Sequence, residues 1–436
     1  MREMKDSGVE WIGMIPSTWK NKTLRHLLID RVGGAWGNEP ANENEGTVCL
    51  RIADFDFDKG LFKECALDEL TYRTYTRKQI KKLALREGDI LIEKSGGGEK
   101  TPVGRAVYYD GSYGAVLYAN FMERLRFKSD EINSKFVEYW LRTWYFCRCS
   151  PFYINQTIGI QNIDLTLMLA KEQIFFPLLQ DQYKIADFLD QKCSEIDALT
   201  ADIQTQIETL EEYKKSIITE AVTKGLDPNV EMKDSGVEWI GKIPANWTVI
   251  KIKYLSNEVN QKKLMNTESM YSYLGLENLK SYSDEIIKTE TDYDEGIQKF
   301  CHKGNVLFSK LRPYLAKVMI CPYDTFATSE FLELSPSECV CDANYLKYSM
   351  LNSSFINEVN LSTYGAKMPR ADASYIKNIK ICITNLDEQH RIADFLDQKC
   401  SEIDQTISEK QQQLDTLAEY KKSLIYEYVT GKKEVA

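Results

Sequence analysis

The sequence predicts a mixed α/β (α+β) chain of two similar domains separated by two long helices that form an antiparallel coiled coil, a pseudo-twofold internal repeat. Three observations carry this. MKDSGVEWIGMIPSTW at Met4–Trp19 returns as MKDSGVEWIGKIPANW at Met232–Trp247 with three differences. KIADFLDQKCSEID at Lys184–Asp197 returns as RIADFLDQKCSEID at Arg391–Asp404 with one. Each of the latter runs opens about 40 residues of apolar spacing near three and four, the signature of a long helix with one buried stripe. The repeat offsets are 228 and 207, so one intervening module is 21 residues longer than the other.

In chain order, residues 1–180 form the first domain with its strip at 4–19, and 181–226 the central helix. Residues 227–387 form the second domain with its strip at 232–247, and 388–436 the closing helix. In the first module TVCLRIADFDF, GDILIEKS, RAVYYD and EQIFFPL are rich in strand formers between turn signals, and SKFVEYWLRTWYF has helical spacing. The second module repeats the order with SYLGLENL, GNVLFSK, KVMICP, NYLKYSMLNSSFINEV and IKNIKICIT. The central helix places Leu189, Ile196, Leu199, Ile203, Leu210, Tyr213 and Ile217 on one seam, with Lys192 and Gln206 filling two seam positions. Gly225 and Pro228 stop it. The closing helix runs through Leu396, Ile403, Ile407, Leu414, Leu417, Leu424 and Tyr428, with Gly431 near its end. At 1.5 Å per residue each spans roughly 60 Å, and the partner expected for each stripe is the other copy.

Composition suits a soluble globular chain: 43% hydrophobic, 28% charged and 11% aromatic in 436 residues. No run reaches the roughly 18 apolar residues a membrane helix needs, and the start has no secretory pattern, so a cytoplasmic location is expected. Eleven cysteines, an odd number, are scattered and expected to be reduced; their closest pairs are C-x-C and only three histidines are present, which argues against zinc. Net charge is −10, but Lys299–Lys317 holds five Lys or Arg and no acid, so a local field for a polyanion survives.

The GVEWIG-x-IP-x-x-W strips, the GDILIEKSGGG and GNVLFSKLRPYLAK loops, and the DQYKIADFLD and EQHRIADFLD runs together resemble the specificity subunit of type I restriction-modification systems. The resemblance covers essentially the whole chain, twice over. It implies two target-recognition domains held apart by an antiparallel helix pair, each reading one half of a gapped site in double-stranded DNA. It also implies two modification (methyltransferase) subunits gripping the repeated regions and translocating restriction subunits joining them, with no membrane partner. S-adenosylmethionine, ATP and Mg would then be used by those partners, and this chain would need no cofactor or metal. Deleting one heptad, about 10 Å, should shorten the gap by roughly three base pairs.

That reading explains the repeat pattern. Surfaces that dock the same partner must present the same side chains, whereas surfaces that read unrelated bases need different ones. Candidate docking residues are therefore Lys5, Asp6 and Glu10 with Lys233, Asp234 and Glu238, and Asp190 and Lys192 with Asp397 and Lys399. Trp11, Ile12 and Trp19 are expected to pack as core instead. Base reading needs hydrogen-bonding side chains on loops, with cations and amides for phosphates. KSGGGEKTPVGR offers Lys94, Ser95, Gly96, Gly97, Lys100 and Arg105, and its counterpart SKLRPYLAK offers Lys310, Arg312, Tyr314 and Lys317. Before the last strand of each module, NQTIGIQNID supplies Gln156, Gln161 and Asn162, and STYGAKMPRAD supplies Tyr364, Lys367 and Arg370.

Catalytic readings fail on spacing. Gly98-Glu99-Lys100-Thr101 breaks the Gly-Lys-Thr contact of a phosphate loop. No Asn-Pro-Pro-Tyr-like element serves adenine methylation, and the Asp-Gln-Lys runs lack an upstream Pro-Asp. The alternatives to a specificity subunit are a stand-alone DNA-binding regulator, which would bind without partners, and a coiled-coil scaffold, which would bind no DNA.

Overall fold

In the computed structural model, residues 2–41, 46–63, 65–157, 159–265, 271–283, 285–287, 295–365 and 367–435 are described. Two compact units emerge, residues 1–203 with 412–436, and residues 204–411, so the boundary falls inside both long helices.

In the first unit the opening strip folds on itself, Met4–Asp6 pairing antiparallel with Met14–Pro16. The Asp6 carboxylate accepts from Gly8 N (3.0 Å) and the Ser7 hydroxyl from Val9 N (3.1 Å), side-chain turns of the kind these residues favour. Ile12 and Trp19 are buried, and Trp11 meets Trp140 edge to face at 5.5 Å. Trp19 also covers the end of the closing helix: a Cβ on Gly431 would stand 2.9 Å from its ring. The second unit repeats this, with Met232–Asp234 on Lys242–Pro244 and Asp234 accepting from Gly236 N (2.8 Å). Trp247 is buried 3.3 Å from the Cβ position of Gly225.

Each module is built on a four-stranded antiparallel sheet. Its order is Ala106–Tyr108, Ile90–Glu93, Met122–Phe127, Leu28–Gly33 in the first. The same order appears in the second as Val318–Ile320, Val306–Ser309, Phe331–Pro336, Ser256–Val259. A further sheet carries a parallel pair in both, Leu117–Tyr118 with Thr47–Leu50 and Thr325–Ala327 with Tyr273–Leu274. Matching positions hold unlike side chains: buried Arg124 is paired with Asp30, while Glu333 in its place accepts from His302 N and Asn305 Nδ2. The expected helix forms at Ser134–Phe146. In the second module it is split at Asn352 into Ala343–Leu351 and Ser353–Leu361, because the Asn352 side chain caps Ser354 N.

The long helices are Leu179–Lys224 and Leu386–Val429. In the first unit they run antiparallel, Phe188 against Tyr428 and Asp197 against Lys421. In the second, Lys214 meets Asp404 and Ile218 and Val222 share a core with Ile392 and Leu396. The seam differs from the expected one at several points: Leu199 and Tyr213 are about half exposed, and Cys193, Ile207 and Lys214 are buried in place of their neighbours Lys192, Gln206 and Tyr213. A buried lysine reads as a polar gap in an apolar count, so the pattern moves to its neighbour Tyr213. Gly225 and Gly431 close the helices with φ of 75° and 70°, a left-handed cap that glycine adopts without strain.

Candidate nucleic-acid interface

The two loops nominated in each module are joined by backbone pairing. In the first, Ser95–Gly96 pairs antiparallel with the ribbon Ile154–Thr157 and Ile160–Ile163, setting Ser95 opposite Asn162 and Gly96 opposite Gln161. The Ser95 hydroxyl donates to Asn162 Oδ1 (2.6 Å). Gly96 and Gly97 have φ of 118° and 59°, and a Cβ on Gly97 would lie 2.8 Å from Val103 N, so the turn at the loop's tip demands glycine. In the second module Leu311 bridges Arg370, Arg312 N donates to Pro369 O (2.7 Å) and Ala371 N to Lys310 O (2.9 Å). The middle of each module's sequence is thereby brought to a later loop by equivalent connections.

The side chains divide into presented and committed groups. Lys100, Gly97, Tyr314, Tyr364 and Lys367 are exposed, and Lys94, Ser95 and Gly96 partly so. Asn162 is exposed on the ribbon; the side chain of Gln156 lies outside the described residues. Arg105 is committed: it donates to the buried Glu93 at 2.9 and 3.1 Å and lies over the Phe57 ring at 3.8 Å. Gln161 is buried and its Oε1 accepts from Val103 N (3.3 Å). Arg370 pairs with Glu330 at 3.0 Å, and Lys317 donates to Leu276 O (2.7 Å). Burial, and then the nearby Arg370, pulls the Lys310 ammonium below its usual range; burial alone does so for Lys317. Arg312 holds a left-handed backbone (φ 50°, ψ 61°), a strained conformation for a side-chain-bearing residue of the kind kept at functional loops.

The repeated polar residues have internal roles as well. Asp190 accepts from the Tyr139 hydroxyl (2.6 Å) and Asp397 from the Tyr348 hydroxyl (2.6 Å), each tying a long helix to the module helix beneath it. Lys5 Nζ donates to Trp19 O (3.0 Å), and Lys192 and Lys399 pair with Glu195 and Glu402, both at 2.7 Å. Lys233, Glu10 and Glu238 stand exposed. The pairs Lys421–Asp197 and Lys214–Asp404 were not among the nominated residues, although their shared 207-residue offset was a legible signal.

Among the described residues no group of three or more His, Cys, Asp or Glu is placed to hold a metal, and no helix is long and apolar enough to cross a membrane. The cysteines are all free thiols, and burial pushes Cys149, Cys321, Cys341 and Cys382 up to about 12.

The family model for the type I restriction modification DNA specificity domain matches residues 42–209 and again 244–416. The chain belongs to this family. Two similar curated proteins come from Methanocaldococcus jannaschii. The putative type I restriction enzyme MjaX specificity subunit is 24% identical over 97% of this chain and 96% of its own. The type I restriction enzyme MjaVIII specificity subunit is 25% identical over 81% of each. In fold, the chain matches a solved structure described as the structural basis of complex assembly and conformational transition of the type I R-M system. That match has a TM-score of 0.69, covers 96% and 99% of the two chains, and is 12% identical. The HsdS subunit from Thermoanaerobacter tengcongensis matches at a TM-score of 0.52 over 96% and 98%, also 12% identical. This type I specificity subunit thus carries two DNA specificity domains and is a non-catalytic component of a restriction-modification complex with DNA and partner subunits.

Proposed function

We propose that each domain of this specificity subunit reads one half of a bipartite, gapped DNA site through its pair of joined loops, and so directs adenine methylation or cleavage by partner subunits. The observation that supports this most is the equivalent joining of loops in both modules, Ser95–Asn162 and Leu311–Arg370, on scaffolds whose loop side chains differ. A common scaffold with unlike tips is what two unrelated half-sites require. In this reading Lys94, Lys100, Lys367 and Arg312 approach phosphates or guanine, and Asn162 a base edge. Two modification subunits use S-adenosylmethionine, restriction subunits use ATP and Mg, and the repeated residues Glu10 and Glu238, which are exposed, and Lys192 and Lys399, which are half-buried and paired with Glu195 and Glu402, serve docking.

The test is a genome-wide map of methylated adenines in the source organism with and without this gene. Loss of one gapped, asymmetric motif is the expected result. An unchanged map, together with a specific DNA shift by the isolated chain, would favour a stand-alone regulator.

A further inference from the structure

Two large aromatic side chains stand in solvent beside the joined loops of the first module. Trp36 is 41% and Phe121 48% exposed. They wall an open, largely apolar cavity of about 470 Å³, completed by Arg51, Ile52, Ala119 and Asn120. Burying such a surface is favourable for whatever ligand fits it.

The Trp36 ring and the Phe121 backbone are held in place. The Arg73 guanidinium lies 4.4 Å over the Trp36 ring. The Phe121 carbonyl accepts from Lys94 N (2.9 Å) and Ser95 N (3.3 Å), so the cavity shares its wall with the glycine-rich loop. The chain before Trp36 crosses the Asn120 segment closely: a Cβ on Gly34 would lie 2.1 Å from Ala119 O. Arg51 lines the cavity with its guanidinium held against the Asp54 carboxylate at 2.8 Å.

The second module shows that the scaffold does not need the Phe121 ring. Lys310 N donates to Glu330 O (2.9 Å) as Lys94 N does to Phe121 O, and Thr328 N donates to Leu274 O (3.2 Å) as Ala119 N does to Leu50 O (2.9 Å). Ser329 and Glu330 therefore occupy the places of Asn120 and Phe121, and Glu330 is paired with Arg370. Buried positions such as Arg124 and Glu333 also differ between the modules, but they are closed off inside the fold, whereas Asn120 and Phe121 are exposed as well as unshared. A residue serving recognition belongs to one.

Thymine is the base whose major-groove edge carries a methyl group, and its adenine partner presents the N7 acceptor and N6 donor that a carboxamide matches bidentately. We propose that Trp36, Asn120 and Phe121 form the seat for one A·T base pair of the first half-site, the rings packing on the thymine methyl and the exposed Asn120 carboxamide meeting the adenine edge. This rests on the reading of the adjoining loops as DNA-facing.

The experiment uses the complete complex with its modification subunits and duplexes bearing the mapped motif. Each thymine is replaced in turn by deoxyuracil, which lacks only the methyl, and each adenine by 7-deazaadenine, which lacks N7. Binding and methyl transfer are both measured. At one base pair of the half-site assigned to the first module, deoxyuracil should weaken binding about fourfold, the value of roughly one buried methyl. Phe121→Ala should weaken binding to the natural duplex by a similar factor and erase the deoxyuracil effect. Asn120→Ala should erase the 7-deazaadenine effect at the same pair. A first half-site without A·T pairs, indifference to every deoxyuracil, or the same sensitivity in Phe121→Ala would overturn the proposal. So would a Phe121→Ala chain that loses its subunits while keeping the methyl response, which would make the cavity a protein contact. Failure of the half-site reading itself would show separately, as no preference for the natural motif before any analogue is introduced.

Discussion

Lys214 and Lys421 show how one side chain can be read from a repeat yet missed by an apolar count. Each ammonium is nearly buried and reaches across to a carboxylate of the other long helix, Asp404 at 2.7 Å and Asp197 at 2.5 Å. Each also donates to a module loop, at Tyr282 O (2.6 Å) and Asp58 O (2.9 Å). Breaking a buried pair costs about 3–5 kcal/mol, and the partly exposed acids reduce this, so Lys421→Ala should destabilise the first unit by about 1–3 kcal/mol in urea denaturation. No shift in midpoint would remove the pair from the account. Glu138 offers a second test. It is fully buried, its oxygens have no hydrogen-bond partner, and a Cβ on Gly60 would lie 2.0 Å from one of them. Burial pushes its carboxyl up to about 7, against the opposing pull of Arg142 and Lys135. A raised acid favours the folded state while protonated: the contribution is complete below the ordinary value of 4.5 and is lost as pH rises through about 7. Glu138→Gln should therefore flatten the fall in stability between pH 5 and pH 8 and gain about 1–3 kcal/mol at the upper end. Parallel pH curves for the two proteins would refute this.

At the scale of elements, the joined loops set separable expectations for charge and for turn geometry. Lys94→Ala and Lys100→Ala should each weaken DNA binding by similar factors on all sequences and reduce the slope of log K against log salt by about 1, measured by anisotropy titrations. A loss confined to the specific motif would instead assign them to base reading. Strands and the helix at Ser134–Phe146 were legible because their apolar spacing matches their period. The ribbon strands Ile154–Thr157 and Ile160–Ile163 and the pairing with Ser95–Gly96 were not, since strands of two to four residues leave little periodic trace. Likewise, Arg105 and Gln161 carry the chemistry of a DNA contact in sequence, but Glu93 and Val103 N claim them in the fold.

For the whole molecule, the two modules share one plan, and the proposed half-site reading makes them exchangeable. Exchanging the second module, between its strip and the closing helix, for that of another specificity subunit should change one half of the methylated motif and leave the other intact. Simultaneous change of both halves, read by methylome sequencing, would contradict modular reading. The repeated runs determined the two-module order and the long helices, because duplication writes its offsets directly into the residues, and together with the loop motifs they pointed to the family. They did not determine what each repeated residue does. Asp6 and Asp234 make turns, Asp190 and Asp397 hold module helices, and only the fold distinguishes these from exposed Glu10 and Glu238. The physical reason is that a polar side chain's partner is chosen by three-dimensional proximity across hundreds of residues. Apolar periodicity records only which face of an element is buried.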